Sequence, residues 1–67
     1  MRLRVNGVEE DVAITTVGEL LASRGIHPAA RFVAVAINGS VVRRSEWSVK
    51  ALGPDDDVEI VRPFSGG

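Results

Sequence analysis

The chain has no cysteine among its 67 residues. Disulfides, thiolate zinc sites, iron–sulfur clusters and a cysteine nucleophile are excluded together. Histidine occurs once, at His27, which leaves a histidine-built zinc site without enough ligands. An excess of one charge is also missing. Eight basic and nine acidic residues give a formal net charge of −1, not the electrostatic footprint of a nucleic-acid binder. No apolar run approaches the ~20 residues of a membrane helix. The first residues alternate in polarity and reach Asn6-Gly7 at once, so no secretory h-region is expected and the chain reads as cytoplasmic. Size is limited too. A domain this small buries only roughly 60% of its unfolded surface. It has little room for a closed pocket of the ~300–1,000 Å³ typical of small-molecule sites. One domain is expected, not an enzyme in its own right and holding no cofactor or metal.

What is present reads as short strands around one helix. Met1, Leu3 and Val5 alternate with Arg2 and Arg4, the period of a half-buried strand. Asn6-Gly7 is a strong hairpin signal, because both residues tolerate the positive φ of a type I′ turn. Val8 to Ile14 reads as the second strand, with Glu9, Glu10 and Asp11 facing solvent and the arginines of the first. Thr16-Val17-Gly18-Glu19 fits a capping box, and Val17, Leu20, Leu21 and Arg24 continue at helical spacing. Gly25 stops this helix of residues 17–24, and Ile26 is placed to close onto Leu21.

Phe32 to Ile37 is nearly all apolar and reads as a buried central strand. Asn38-Gly39 repeats the turn signal, Val41-Val42 is a short extended stretch, and Ser45-Glu46-Trp47 reads as a cap with one helical turn. Gly53 to Asp57 is an acidic turn. Val58 to Arg62 is the last strand, and Pro63 ends it because it has no N–H to donate. Hairpin, helix, strand, short strand and late strand make an α+β layer architecture. The order matches a β-grasp (ubiquitin-like) fold, a mixed sheet of four or five strands on one short helix, with the first and last strands parallel. The expected division is a β-grasp domain over residues 1–63 and a flexible tail over 64–67.

Within the domain no catalytic set stands out. His27 sits in a Pro-containing connector and reads as an exposed loop residue. Asp55-Asp56-Asp57 lies in a tight turn from which three carboxylates do not readily converge on a metal. Trp47 reads as a cap on a small core rather than a binding hot spot. Arg43-Arg44 reads as a solvated edge.

The last four residues are of another kind. Phe64, Ser65, Gly66 and Gly67 follow the strand-ending proline, and Gly67 is taken to carry the natural carboxylate. At ~7% glycine usage two final glycines arise by chance in about one chain in 200. Their weight therefore comes from the small, cysteine-free domain in front of them. Glycines without Cβ atoms let a backbone thread a narrow active site of another protein. They also leave the terminal carboxyl carbon open to attack. A carboxylate is a poor acyl donor until it is converted, with ATP, to an acyl-adenylate. On this reading the protein is a substrate of partner enzymes.

Over nearly its whole length the chain resembles the ThiS family, the sulfur carriers of thiamin biosynthesis. The resemblance rests on Met1 to Gly7, on Thr16 to Leu21, on Ala34 to Trp47 as the most specific segment, and on Val58 to Val61 with the Gly66-Gly67 end. Two departures lie in surface loops. Arg43 stands where the family often has proline, and Asp55-Asp56-Asp57 replaces a usual Gly-Asp turn. The resemblance implies that an E1-like adenylyltransferase of the ThiF type transfers AMP from ATP to the Gly67 carboxylate. Sulfur relayed by a cysteine desulfurase or a rhodanese-type donor then replaces the AMP and gives a thiocarboxylate. Thiazole synthase of the ThiG type takes up that sulfur. Phe64, Ser65 and Gly66 would lie with Gly67 in the partners' channels, the sheet face around the last strand would dock, and the free protein would be a monomer. The rivals are a carrier for molybdopterin synthesis or for another sulfur-transfer pathway, a protein modifier conjugated through Gly67, and an interaction module with an idle tail.

Overall fold

In the computed structural model, which describes residues 1–63, two Asn-Gly turns build the two edges of the sheet. Asn6 and Gly7 have φ of 49° and 83°, and Asn38 and Gly39 have φ of 51° and 85°. These are the positive pairs that a type I′ turn needs, and glycine supplies the second at little cost. The first turn joins β1 (Arg2–Val5) to β2 (Val8–Asp11), with Val5 opposite Val8. The second joins β3 (Ala34–Ile37) to β4 (Ser40–Val42), with Ile37 opposite Ser40. Between the hairpins runs β5 (Asp57–Val61), parallel to β1 and antiparallel to β3. The order of the five-stranded sheet is β2-β1-β5-β3-β4, as expected for a β-grasp sheet.

One helix, α1 (Val17–Ser23), covers one face of this sheet. Its start is the expected capping box. The Thr16 hydroxyl accepts from the Glu19 N–H at 3.2 Å, and Glu19 Oε1 accepts from the Thr16 N–H at 3.0 Å. Its end is a Schellman closure. Gly25, at φ 74°, donates to Ala22 O and Ile26 donates to Leu21 O, each at 3.0 Å. Arg24 is the C-cap, so the helix is one residue shorter than the 17–24 expected. Val17, Leu20, Leu21 and Ile26 bury against Leu3, Val5, Val35, Ile37, Val58 and Ile60 of the sheet.

The segment after β4 closes the core. A 3₁₀ turn, η1 (Arg44–Glu46), carries the chain to Trp47, which is buried and donates its indole N–H to Val42 O at 3.1 Å. Trp47 is therefore the core cap the sequence indicates. The Trp47 carbonyl accepts from the Gly18 N–H at 2.7 Å, and a Cβ on Gly18 would lie only 3.2 Å from that oxygen. Glycine at this helix position lets the two backbones touch.

Several expectations need correction. Phe32 to Ile37 is not a buried strand throughout. The strand is Ala34–Ile37, only Val35 and Ile37 are buried, and Ala34 is exposed. The sheet carries its helix on one face, so alternate residues bury, and β5 rather than β3 holds the middle of the five. The second strand ends at Asp11, although Val12 and Ile14 still pack against the core. The last strand is Asp57–Val61, one residue earlier than read. Glu10 does not face the arginines of β1. It pairs with Leu3 in the register, which turns it to the helix side, where Glu10 Oε1 meets Arg24 Nη2 at 2.5 Å. Glu9 and Asp11 do share a face with Arg4 and Arg2. Ser45 is not a cap: Arg43 holds the N-cap position of η1, with no side-chain capping bond.

Candidate functional site: the end of the last strand

The tail residues Phe64, Ser65, Gly66 and Gly67, and with them the expected flexible segment, lie outside the described residues. What the structure defines is the platform in front of them. β5 alternates strictly, with Val58 and Ile60 buried and Asp57, Glu59 and Val61 exposed on the helix-free face. Beyond Val58 the strand has lost β1 as a backbone neighbour, because β1 turns away at Asn6. The Asn6 side chain takes the place of a backbone there. Its Oδ1 accepts from the Ile60 N–H at 2.7 Å, and its Nδ2 donates to Ile60 O at 3.2 Å. An amide can do both at once, as a peptide group does, so the ladder extends one step farther along β5. On the other side Val61 still pairs with Ala34. Arg62 and Pro63 follow, both exposed.

Two surface depressions flank this point and share Arg62. One, of about 530 Å³, is lined by Val5, Asn6, Glu10, Arg24 and Ile60 beside Arg62. The other, of about 640 Å³, is lined by Ile26, His27, Arg31, Val33 and Pro63 beside Arg62. The helix-free face of the sheet divides in two. Arg2, Arg4, Glu9, Asp11 and Asp57 make its β1–β2 side charged, whereas Ala34, Ala36, Val41 and Val61 make its β3–β4 side mainly apolar, with Glu59 set opposite Ala36. Val41 and Val61 are 77% and 61% exposed. The apolar side adjoins the end of β5, where the chain departs toward its last residues.

The ThiS family model matches residues 3–67, nearly the whole chain and through Gly67. The chain belongs to the ThiS family. Two solved structures of a thiamine biosynthesis protein, ThiS, from Geobacter metallireducens resemble it. The crystal structure superposes with a TM-score of 0.79 at 31% identity, and each chain is covered fully. The solution structure gives 0.77 at 33% identity, covering 100% of this chain and 88% of that one. No curated protein sequence matches the chain significantly.

In this ThiS-family chain the other sequence candidates fall into structural places. His27 is exposed, and its Nδ1 accepts from the Ala29 N–H at 2.9 Å. Asp55, at φ 68°, donates its N–H to Arg2 O, and Asp56 accepts from the Gly53 N–H at 2.7 Å and the Asn38 amide at 3.0 Å. The Asp56 carboxylate is thus spent on holding a turn, to which Asp55 and Asp57 contribute backbone N–H groups. No cluster of three possible metal ligands forms among the described residues, and no helix there is long and apolar enough to cross a membrane. Arg43 is exposed. Arg44 is more than a solvated edge, because its guanidinium donates to Pro28 O and Ala30 O and lies 4.5 Å from the Trp47 ring centroid. It ties the connector after α1 to the Trp47 corner.

Among the described residues the one clear electrostatic perturbation is at Glu19. The Thr15 N–H, then the Thr15 hydroxyl and the Thr16 N–H, hold its carboxyl below its ordinary value. It serves the helix cap and not a site. Sequence reading missed Asn6 as a residue of the platform. The signal available was the choice of asparagine: Asp-Gly makes the same turn, but only an amide supplies both a donor and an acceptor.

Proposed function

We propose that the protein is a sulfur carrier for building the thiazole of thiamin, and that its working group is the Gly67 carboxylate. The family match that runs through Gly67 carries this reading. Asn6, Glu19, Asn38, Arg44 and Asp56 are committed to ladders, a cap and turns, which leaves them out of any competing site. The adenylating partner supplies ATP and makes the carboxylate an acyl-adenylate, releasing pyrophosphate. A persulfide on a desulfurase- or rhodanese-type donor attacks the carbonyl carbon and expels AMP, and a thiol of the donor then cleaves the resulting acyl disulfide, leaving a thiocarboxylate on the carrier and a disulfide on the donor. Thiazole synthase then accepts the sulfur, and the carrier returns with an oxygen in its place. Phe64, Ser65 and Gly66 thread the partners' channels. The carrier itself holds no cofactor and moves no proton, and it works where its partners do, in the cytoplasm.

The structural argument concerns delivery. A narrow strand end, locked by Asn6 on one side and β3 on the other, fixes where the last residues start. The apolar side of the open face offers a surface against which a partner can seat while it draws in the tail. ATP–pyrophosphate exchange by the partner adenylyltransferase tests the first step. Exchange should depend on the full-length carrier and vanish when Gly67 is deleted. Exchange that persists with the deleted chain would rule out the Gly67 carboxylate as the group activated.

A further inference from the structure

The basic side chains of this protein are almost all of one kind. Seven are arginine and one, Lys50, is lysine. Either residue solvates a surface, so the choice says nothing until the chemistry of the tail is considered. An activated carboxyl carbon is open to amines as well as to sulfur nucleophiles. A lysine amine that loses its proton can attack it, whereas a guanidinium stays protonated and delocalised. The two depressions beside the tail root are lined by Arg24, Arg31 and Arg62, and the one lysine is in neither. His27 lines one of them, with its Nδ1 lone pair taken by the Ala29 N–H.

The amines stand at the other end of the sheet. Lys50 is exposed and lines a depression with Asn38 and Asp56, beside the beginning of β5. Its carbonyl accepts from the Val17 N–H at 3.0 Å, at the start of α1, whereas Arg24, at the end of that helix, borders the tail root. The Met1 amine donates to Val12 O at 2.7 Å and lies 3.4 Å from the Asp11 carboxylate. β1 runs parallel to β5 with Arg4 beside Asp57, which sets Met1 farther back than the beginning of β5. At ~3.3 Å per residue, Asp57 and Pro63 are about 20 Å apart along the strand. The residues after Pro63 span ~14 Å at most, so an end doubled straight back stops short of the level of Asp57. We infer that this placement reserves the activated Gly67 carboxyl for sulfur, by holding Lys50 and the Met1 amine beyond its reach. The inference rests on the carrier reading and adds to it the reason a reactive acyl end does not consume its own chain. In the step so prevented, a neutral amine nitrogen bonds to the carbonyl carbon. AMP leaves with the electron pair of the broken C–O bond, and the nitrogen gives up a proton to solvent. The product is a cyclic amide, lighter than the free acid by one water and lost to sulfur transfer.

The test moves an amine. The full-length chain is prepared as a carboxyl-terminal thioester, which stands in for the adenylate, and is held at micromolar concentration and mildly alkaline pH. Intact mass follows its fate. The wild type should return to the free acid by hydrolysis, with no monomer lighter by one water. Arg62→Lys keeps the charge and puts an amine beside the tail root. It should form the cyclic amide roughly a hundredfold faster than the wild type, because a short tether gives an effective concentration in the millimolar range. Val49→Lys adds an amine beside Lys50, at a position 74% exposed, and should behave as the wild type does. A wild-type monomer cyclised through Lys50 or Met1 overturns the inference and leaves the carrier reading intact. So does an Arg62→Lys chain that cyclises no faster than the wild type, or a Val49→Lys chain that cyclises as fast as Arg62→Lys. ATP–pyrophosphate exchange with the partner adenylyltransferase is run on the same wild-type protein. Its absence removes the carrier reading, and with it the activated end that the placement protects.

Discussion

The two Asn-Gly turns share a dipeptide, a backbone conformation and a neighbour, β5, and they hold the two ends of that strand by different means. Asn38 works at its beginning. Its Oδ1 accepts from the Asp57 N–H at 2.9 Å, and its Nδ2 donates to the Asp56 carboxylate at 3.0 Å, both exposed. Asn6 works at its end and bonds only backbone, the N–H and carbonyl of Ile60, in a partly buried setting. The difference follows from direction. β3 and β5 are antiparallel, so the Asn38 turn meets β5 where the acidic turn supplies a side-chain partner. β1 and β5 are parallel, so the Asn6 turn meets β5 where only β5 backbone is within reach. An exposed bond competes with water, whereas a partly buried one leaves orphaned groups when it is lost. The Asn6 contacts at the end that bears the tail are thus costlier to lose than the Asn38 contacts at the beginning.

Replacing each asparagine by glycine keeps the turn and removes the side chain. Asn6→Gly should cost about 2–3 kcal/mol, two partly buried hydrogen bonds at about 1 kcal/mol each plus some desolvation loss. Hydrogen exchange at the Ile60 amide should accelerate beyond what the global loss explains. Asn38→Gly should cost about 1 kcal/mol, because water can replace its bonds. Its local effect should be confined to the Asp57 amide. Equal costs in denaturant titrations would break the comparison. The smallest expected effect is at Glu19, which touches neither turn. Its carboxyl titrates lower in the folded chain than in the unfolded one. The stability it contributes is therefore present above the ordinary carboxylate pKa and is lost as pH falls through the lowered value. Glu19→Gln should change little at neutral pH and should flatten the acid limb of a melting-temperature profile. Parallel acid limbs for variant and wild type would contradict the capping role.

Most of this frame was legible in the sequence, for local reasons. Asn-Gly, Thr16-x-x-Glu19 and Gly25-Ile26 each encode a turn or cap through backbone chemistry confined to a few residues, and each stands where it was read. The α+β reading and the parallel pairing of the first and last strands followed from their order. What stayed hidden depended on partners far along the chain. Phe32 to Ile37 reads as one apolar run, and only the one-sided sheet shows that alternate members face outward. Glu10 reads as one of three surface acids, and only the register against Leu3 turns it to Arg24. Arg44 reads as an edge charge, and only the return of the connector after α1 brings it two carbonyl oxygens. The bonds from Asn6 to Ile60 span most of the chain, which no local pattern reports. The tail residues Phe64 to Gly67 were singled out by the chemistry of a Gly-Gly end and by the family resemblance, and they lie outside the described residues.

The most direct test is the intact mass of the protein isolated from its own cells under thiamin starvation, with a Gly67 deletion beside it. The carrier account predicts a fraction heavier by the exchange of one oxygen for one sulfur, present in the full chain and absent from the deletion. Only the unmodified mass, or a covalent attachment of Gly67 to other proteins in its place, would contradict it.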